Sequence, residues 1–438
     1  MIRMNDFTSE PEELRRQELA AVERVFRSGS FVLGSEVRQF EEAWANFCDT
    51  KFCVGVANGM ESIELGLRAL SIGPGDEVLT TPMTAIATIL AIMHAGATPV
   101  LADIDPATAL LDAASAERCL TSRTRGLLLV HLYGQVREME RWMAFCKMAK
   151  IHLLEDCAQA HGAIWNGQHA GTFGICGIFS FYPTKNLGAK GDAGALVTNS
   201  GELATGVKTL RNCGTSKRYE HPEPGLNSRL DELQAAILST RLPWLEKFNA
   251  RRQEIARKYF AEIKNPRISL LSAPEQRQSH VYYLFVVRCA ERNRLADFLN
   301  KEEIETLIHY PIPAHRQGCC KGVRCDPRGL PNAESHAKQC LSLPCHPQLR
   351  DDDVAAARKH ARQAVEGLAA HDHRRPHGHL LEMPEVARQV PWQLAVLADR
   401  AVDGARDDDG DGRWPGHDLF MTPSGTGGKP RPGARGVA

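Results

Sequence analysis

Apolar and polar positions along this chain follow two periods, and the changes between them mark its elements. Between residues 50 and 200, unbroken apolar runs predict strands at 52–57, 77–80, 98–102, 126–131, 152–156, 177–180 and 193–198. Segments between the early runs, such as 61–70 and 85–94, carry the helical period instead. Strands without polar alternation bury both faces, so helices must cover the sheet on each side, as in largely parallel α/β architecture. Ligands in such sheets bind beyond the carboxyl ends of the strands.

Further along, 230–242 reads as a helix with Leu230, Leu233, Ala236 and Ile237 on its apolar face, ended or kinked by Pro243. A long charged helix near 251–263 is the expected hinge to a second domain. That domain has a strand at 281–288 and helices at 294–301 and 352–368. The organisation expected is therefore a large domain over 1–248 and a smaller α+β domain over 249–369. From 370 to 438 the texture changes to dense Gly, Pro, Asp, His and Arg, an atypical tail read as disordered at least over 422–438. Residues 385–402 retain a helical pattern. Asp407, Asp409, Asp411 and Asp418 match the spacing of a calcium loop, but Pro415 and the lack of flanking helices favour a solvated acidic run.

Composition narrows the classes. At 438 residues the chain exceeds one ordinary core, and 43% apolar with 24% charged residues suits a soluble globular protein. Lys+Arg and Asp+Glu both total 53, which leaves no basic footprint for nucleic acid. No secretory signal opens the chain and no run is long enough to span a membrane. The 13 scattered cysteines fit reduced thiols in a cytoplasm, and Cys319, Cys320 and Cys325 lack a second pair at zinc-ligand spacing.

The candidate chemistry lies at two strand ends. The run 177–180 is broken by Pro183, which puts Lys185 in a turn, and the strand at 152–156 ends in Asp156. A lysine amine and a strand-end carboxylate are what pyridoxal phosphate needs: one forms its Schiff base, the other keeps its ring nitrogen protonated. Taken singly, a loop lysine is usually a surface charge and a strand-end aspartate is common. Gly59 and Met60 open a helix after the first strand, where backbone amides can hold a phosphate, and Ser180 could add a hydroxyl.

Three blocks in order strengthen this reading: 155–163 (EDCAQAHGA), 179–188 (FSFYPTKNLG) and 225–236 (GLNSRLDELQAA). They resemble the DegT/DnrJ/EryC1/StrS sugar-nucleotide aminotransferases, over about residues 8–369. Gly34, 40–42 (FEE), 73–78 (GPGDEV) and 131–134 (HLYG) extend the likeness. The resemblance implies the aspartate aminotransferase (type I) fold, with a mostly parallel seven-stranded sheet domain and a smaller C-terminal α+β domain. It implies that Lys185 carries the cofactor and then moves the substrate proton, and that Asp156 pairs with the pyridinium nitrogen. Gln159 would lie against the phenolic oxygen, and Ser180 with the amides of Gly59 and Met60 would hold the phosphate. Asn227 would reach the cofactor of a neighbouring subunit, making a homodimer the active unit. His161 receives no role, since packing accounts for it equally well.

Two departures from the family pattern stand out: Met60 replaces a frequent threonine, and Thr84-Ala85 stands where an aromatic often covers the ring. Lys185, where the dehydrating branch has histidine, implies amino transfer from L-glutamate. The segments 186–194 (NLGAKGDAG), 225–231 (GLNSRLD) and 309–315 (HYPIPAH) are similar to members that aminate C3 of dTDP-3-keto-6-deoxyhexoses. C4 amination and a UDP-linked 3-keto sugar are the alternatives, with a sugar dehydratase or a non-catalytic regulatory relative behind them. His309, Tyr310 and His315 are candidates to line the sugar pocket, or else belong to a Pro-rich packing loop. Lys190 and Arg229 are candidate partners for anionic substrate groups.

Overall fold

The structure, a computed structural model, describes residues 1–369. The expected tail, its 385–402 helix and its calcium-like loop lie outside the described residues. The chain opens with α1 (Glu12–Ser28), whose acidic first turn suits the helix dipole and whose end is Gly29 in the left-handed region at φ 64°. Next comes α2 (Ser35–Phe47), which has no cap of its own. The carboxylate of Glu232, 1% exposed, accepts from the amides of Gly34, Glu36 and Val37 at 2.8–2.9 Å and so caps it from across the sequence.

All seven expected strands of the large sheet form. They are β1 (Phe52–Val56), β2 (Glu77–Thr80), β3 (Thr98–Leu101), β4 (Thr124–Val130) and β5 (His152–Asp156), then, past a short hairpin of β6 (Ile164–Trp165) and β7 (Gln168–His169), β8 (Cys176–Ser180) and β9 (Gly194–Thr198). Between and after them run α3 (Gly59–Ala69), α4 (Ile86–His94), α5 (Ala113–Cys119), α6 (Met139–Ala149) and α7 (Gly201–Leu210). The last large-sheet element of the N-terminal half is followed by α8 (Glu232–Arg241) and α9 (Leu245–Glu262).

Beyond α9 come β10 (Ile268–Leu270), β11 (Phe285–Cys289), α10 (Arg292–Lys301), β12 (Arg324–Cys325), α11 (Pro331–Gln339), β13 (Cys340–Leu343) and α12 (Asp351–Ala369). The large sheet has the order β1-β9-β8-β5-β4-β2-β3-β12, and every pairing is parallel except the two made by β9. The eighth strand, β12, adds to the seven expected. Two residues have no period to read, and Arg324–Cys325 becomes a strand only by pairing with Val100 and Leu101.

Side-chain alternation divides each central strand between two cores. Leu127, Leu153 and Phe179 pack with Phe40 and Trp44 of α2, while Leu128, Leu154 and Ile178 pack with Ile63, Leu67 and Ile92 of α3 and α4. A third core, around Tyr259, Phe285, Val287, Leu299 and Leu341, joins α9, α10 and α12 to the antiparallel sheet β10-β11-β13.

Two expected boundaries moved for identifiable reasons. Pro243 ends α8 as expected, at Arg241, but the next helix begins sooner than expected. Pro243 sits in a 3₁₀ turn, Leu242–Trp244, where its missing N–H costs nothing, so α9 starts at Leu245 and not near 251. The strand expected from 281 starts at Phe285, because Tyr282 is left-handed (φ 47°) with its amide donating to His280 Nδ1 at 3.0 Å. No described helix is long and apolar enough to cross a membrane.

Because one buried carboxylate serves three amides, Glu232→Ala is expected to cost about 3 kcal/mol. Calorimetric melting checks this: a midpoint lowered by several degrees is expected, and an unchanged one would remove Glu232 as the cap of α2.

Candidate active site at the carboxyl ends of the central strands

β5 delivers two adjacent carboxylates to opposite faces of the sheet. On one face Glu155, fully buried, accepts from the amides of Gly171, Phe173 and Gly174 at 2.7–2.9 Å and lies 2.9 Å from His131 Nε2. His131, Glu155 and Cys157 are close enough together to suggest a metal cluster. The Glu155 oxygens, however, are already committed to those amides, and the group reads as a strut that fixes the loop before β8.

On the other face Asp156, 5% exposed, accepts from Thr88 Oγ1 at 2.9 Å and from the Ala158 amide at 3.1 Å. Burial pushes its carboxyl above the ordinary range, and the Ala158 amide, the Thr88 hydroxyl, Lys185 and His131 oppose that shift. Lys185 follows β8 in a turn closed by its own amide on the Tyr182 carbonyl at 2.8 Å. Its Nζ lies 4.5 Å from the centre of the Tyr283 ring, whose hydroxyl is 3.1 Å from Thr184 Oγ1. Asp156 and Lys185 are thus within electrostatic reach of each other, as their strands' ends require.

Beside them, the start of α3 abuts the end of β8. A Cβ on Gly59 would stand 2.7 Å from Ser180 Cβ, so only a glycine lets these segments meet. Asn58 Oδ1 caps the Glu61 amide at 2.9 Å, and the Gly59 and Met60 amides precede that of Ser62, the first to donate within the helix (to the Asn58 carbonyl, 3.1 Å). Two amides at a helix start, without an acceptor among the described residues, next to the half-buried Ser180 hydroxyl form a cradle suited to an anion such as a phosphate.

Gln159 is held on both sides. Its Oε1 accepts from the Tyr133 amide at 2.7 Å, and its Nε2 donates to the Tyr310 hydroxyl at 3.2 Å. Tyr133 in turn donates its hydroxyl to the His309 carbonyl at 2.5 Å and lies 2.9 Å from His336 Nε2. His309 and Tyr310 are therefore joined to Gln159 through one network, and His309 Nδ1 is 2.9 Å from Ser342 Oγ. Burial takes the His309 ring down to about 4, with Lys185 adding to the shift.

The other predicted residues have different surroundings. His315 Nε2 pairs with Glu334 at 3.1 Å, on a loop docked by the Ala314 amide on the Pro82 carbonyl at 2.9 Å. Lys190 Nζ is engaged by Glu10 at 2.7 Å and Glu18 at 3.6 Å, carboxylates that also hold Arg241. Arg229 Nη1 donates to Asn212 Oδ1 at 3.1 Å, and Asn227 is exposed. His161 packs its ring among Trp44, Phe179 and Phe181, and burial holds it down at about 3.

Thr88, Tyr133 and Tyr283 escaped the sequence reading. Thr88 left one signal: a hydroxyl spaced four residues from Thr84 inside the apolar stretch of α4. Tyr133 lay within the 131–134 block without being singled out, and half-buried Tyr283 left no signal of its own.

Residues 12–359 match the DegT/DnrJ/EryC1/StrS aminotransferase family, and the chain belongs to that family. It is 47% identical to dTDP-3-amino-3,6-dideoxy-alpha-D-galactopyranose transaminase of Aneurinibacillus thermoaerophilus, across 76% of this chain and 91% of the relative. It is 43% identical to dTDP-3-amino-3,4,6-trideoxy-alpha-D-glucose transaminase of Streptomyces venezuelae, across 78% and 91%. Among solved structures, S. venezuelae DesV in complex with a ketimine intermediate superposes with a TM-score of 0.80 at 41% identity, covering 83% of this chain and 98% of DesV. The expected aspartate aminotransferase-type fold and aminotransferase class are thereby established.

Two outcomes follow from this geometry. Gly59→Ala should weaken binding of pyridoxal phosphate at least about tenfold, a loss near 1.4 kcal/mol, when cofactor is titrated into the apoprotein; unchanged affinity would empty the cradle of meaning. The buried rings of His161, His309, His336 and His346 are held at about 3, 4, 4 and 4, below the ordinary value of 6.5. The unfolded chain therefore binds more protons as pH falls below 6.5, at up to about 1.4 kcal/mol per pH unit for each ring. Stability should be complete above neutrality and decline from pH 6.5 towards 4, read from melting midpoints across that window. A flat profile there would contradict the burial of these rings as neutral groups.

Proposed function

We propose that this protein transfers the amino group of L-glutamate to the C3 ketone of a dTDP-3-keto-6-deoxyhexose, using pyridoxal phosphate. The observation that carries the reading is the buried Asp156 within electrostatic reach of Lys185, beside a glycine-and-serine anion cradle. The substrate rests on likeness to the two dTDP-3-amino sugar transaminases. When bound, pyridoxal phosphate supplies an electron sink for the carbon that loses or gains a proton.

The chain's own residues do the rest. Lys185 would be the residue that holds the cofactor, and its neutral amine would move the proton at the substrate carbon. Asp156 keeps a positive charge on the ring nitrogen. The Gly59 and Met60 amides and the Ser180 hydroxyl would hold the phosphate, and the carboxamide of Gln159, pinned between Tyr133 and Tyr310, would serve the phenolic oxygen. His309 and Tyr310 line the sugar side through that same network, with His315 on the following loop. The engagement of Lys190 with Glu10 and Glu18 makes it a weaker substrate contact than Arg229, whose described partner is a neutral amide.

The active unit in this reading is a cytoplasmic homodimer in which exposed Asn227 reaches the neighbouring cofactor phosphate. Residues 1–248 and 249–369 form its large and small domains.

Absorbance of the purified, cofactor-loaded protein tests the assignment. Glutamate should bleach the visible band and the dTDP-linked 3-keto sugar should restore it, with 2-oxoglutarate and amino sugar as products. Restoration only by a 4-ketone or a UDP-linked 3-keto sugar would move the substrate and keep the transaminase. Lys185→Ala should lower turnover by about 10³-fold or more, and retention of activity would overturn the role of Lys185.

A further inference from the structure

Asp156 has a demanding position. Its carboxylate is enclosed, and among the described residues its hydrogen-bond donors are one backbone amide, Ala158, and one hydroxyl, Thr88. The amide takes Oδ1 and the hydroxyl takes Oδ2. Thr88 lies in the first turn of α4, a helix otherwise built from Ile, Ala, Leu, Met and a terminal His, and is itself 2% exposed. A polar group in such a place needs a partner, and Thr88 has two: Asp156 Oδ2 at 2.9 Å and Thr84 Oγ1 at 2.8 Å.

Proton counting fixes the direction of this row. A threonine hydroxyl has one proton, and towards an ionised Asp156 Thr88 gives it to the carboxylate. Thr84, 5% exposed, must then be the donor to Thr88. The row runs Thr84 to Thr88 to Asp156, and every proton in it points towards the carboxylate. A proton placed on Oδ2 would meet the Thr88 proton and force both hydroxyls to turn. The arrangement therefore favours the ionised carboxylate and restricts the position of Oδ2.

We propose that Thr88 is a positioning residue for amino transfer: oriented by Thr84, its hydroxyl holds Asp156 ionised and aimed at the protonated ring nitrogen of the cofactor. The inference rests on the reading above that Asp156 faces that nitrogen. The other titratable groups around Asp156 are Lys185 from the turn after β8, His131 at the end of β4, Cys157 next in sequence and Tyr310 from the 309–315 loop. Lys185 and His131 also favour the charged form. None of the four is bonded to Thr88, so a change at Thr88 removes one support and leaves theirs in place.

The test uses the full chain reconstituted with pyridoxal phosphate labelled with ¹⁵N in the ring, as wild type, Thr88→Val and Thr88→Ser. Valine keeps the shape and removes the hydroxyl; serine keeps the hydroxyl and removes the methyl. The ring-nitrogen resonance is followed from about pH 6 to about pH 9, where one unit of pKa change is a tenfold change in ionisation ratio. Wild type and Thr88→Ser should hold the protonated-nitrogen resonance throughout. Thr88→Val should move tens of parts per million towards the neutral nitrogen as pH rises, and lose about tenfold or more in cofactor affinity, by analogy with groups that orient metal ligands.

A Thr88→Val protein whose resonance and affinity match the wild type would overturn the inference. So would a Thr88→Ser protein that behaves like Thr88→Val, since methyl packing would then be the cause. If Thr88→Val does not fold, Thr84→Val replaces it; that variant keeps the Thr88 hydroxyl but removes its donor, and should shift the resonance in the same direction, with no shift counting against the proposal. Failure of the wild type to bind the cofactor would instead bring down the functional reading, and this inference with it.

Discussion

A carboxylate buried at the end of a central strand, Asp156, is the constraint on which the rest of the site depends. An unsupported ion at the position of Asp156 would take up a proton and lose its use. Four groups near it oppose the effect of burial: the Ala158 amide from the turn after β5, the Thr88 hydroxyl from α4, and positive charge from Lys185 and His131. These come from four separate stretches of chain. They meet because the central strands run parallel and their carboxyl ends share one edge.

The neighbouring residue shows how much depends on strand alternation. Glu155 and Asp156 are the same chemical group, one residue apart, yet they face opposite sides of the sheet. Glu155 is saturated by three amides and a histidine and is spent on holding the backbone. Asp156 accepts only two bonds among the described residues, which leaves acceptor capacity over. A one-residue slip in β5 would exchange their roles.

Long-range ion pairs and caps then hold this frame. Glu232 caps α2 from the start of α8, and Glu10 and Glu18 grip Arg241 and Lys190, fastening the N-terminal segment to the large sheet's helices. The same N-terminus places Ile2 beside Ile304, its amide donating to the Glu303 carbonyl at 2.6 Å. The first ten residues therefore connect the surroundings of both sheets. Lys190 illustrates the consequence: a residue read as a candidate partner for anionic substrate groups is engaged by carboxylates about 180 positions away in sequence.

Local regularity was legible in the sequence because it is local physics. Unbroken apolar runs gave the seven strands of the large sheet to within two residues, and the turn made by Pro183 gave Lys185 its place after β8. Asp156 and Gly59 were legible for the same reason, since a strand end and a helix start are marked by the residues that stop or begin a period. Tertiary structure alone decided what depends on packing between distant segments. It made β12 a strand by pairing it with β3 and brought the Thr88 hydroxyl to the Asp156 carboxylate. A period reports which face of an element is buried, but not what lies opposite; the partners of Asp156, Lys190 and Gln159 are set by where other elements come to rest.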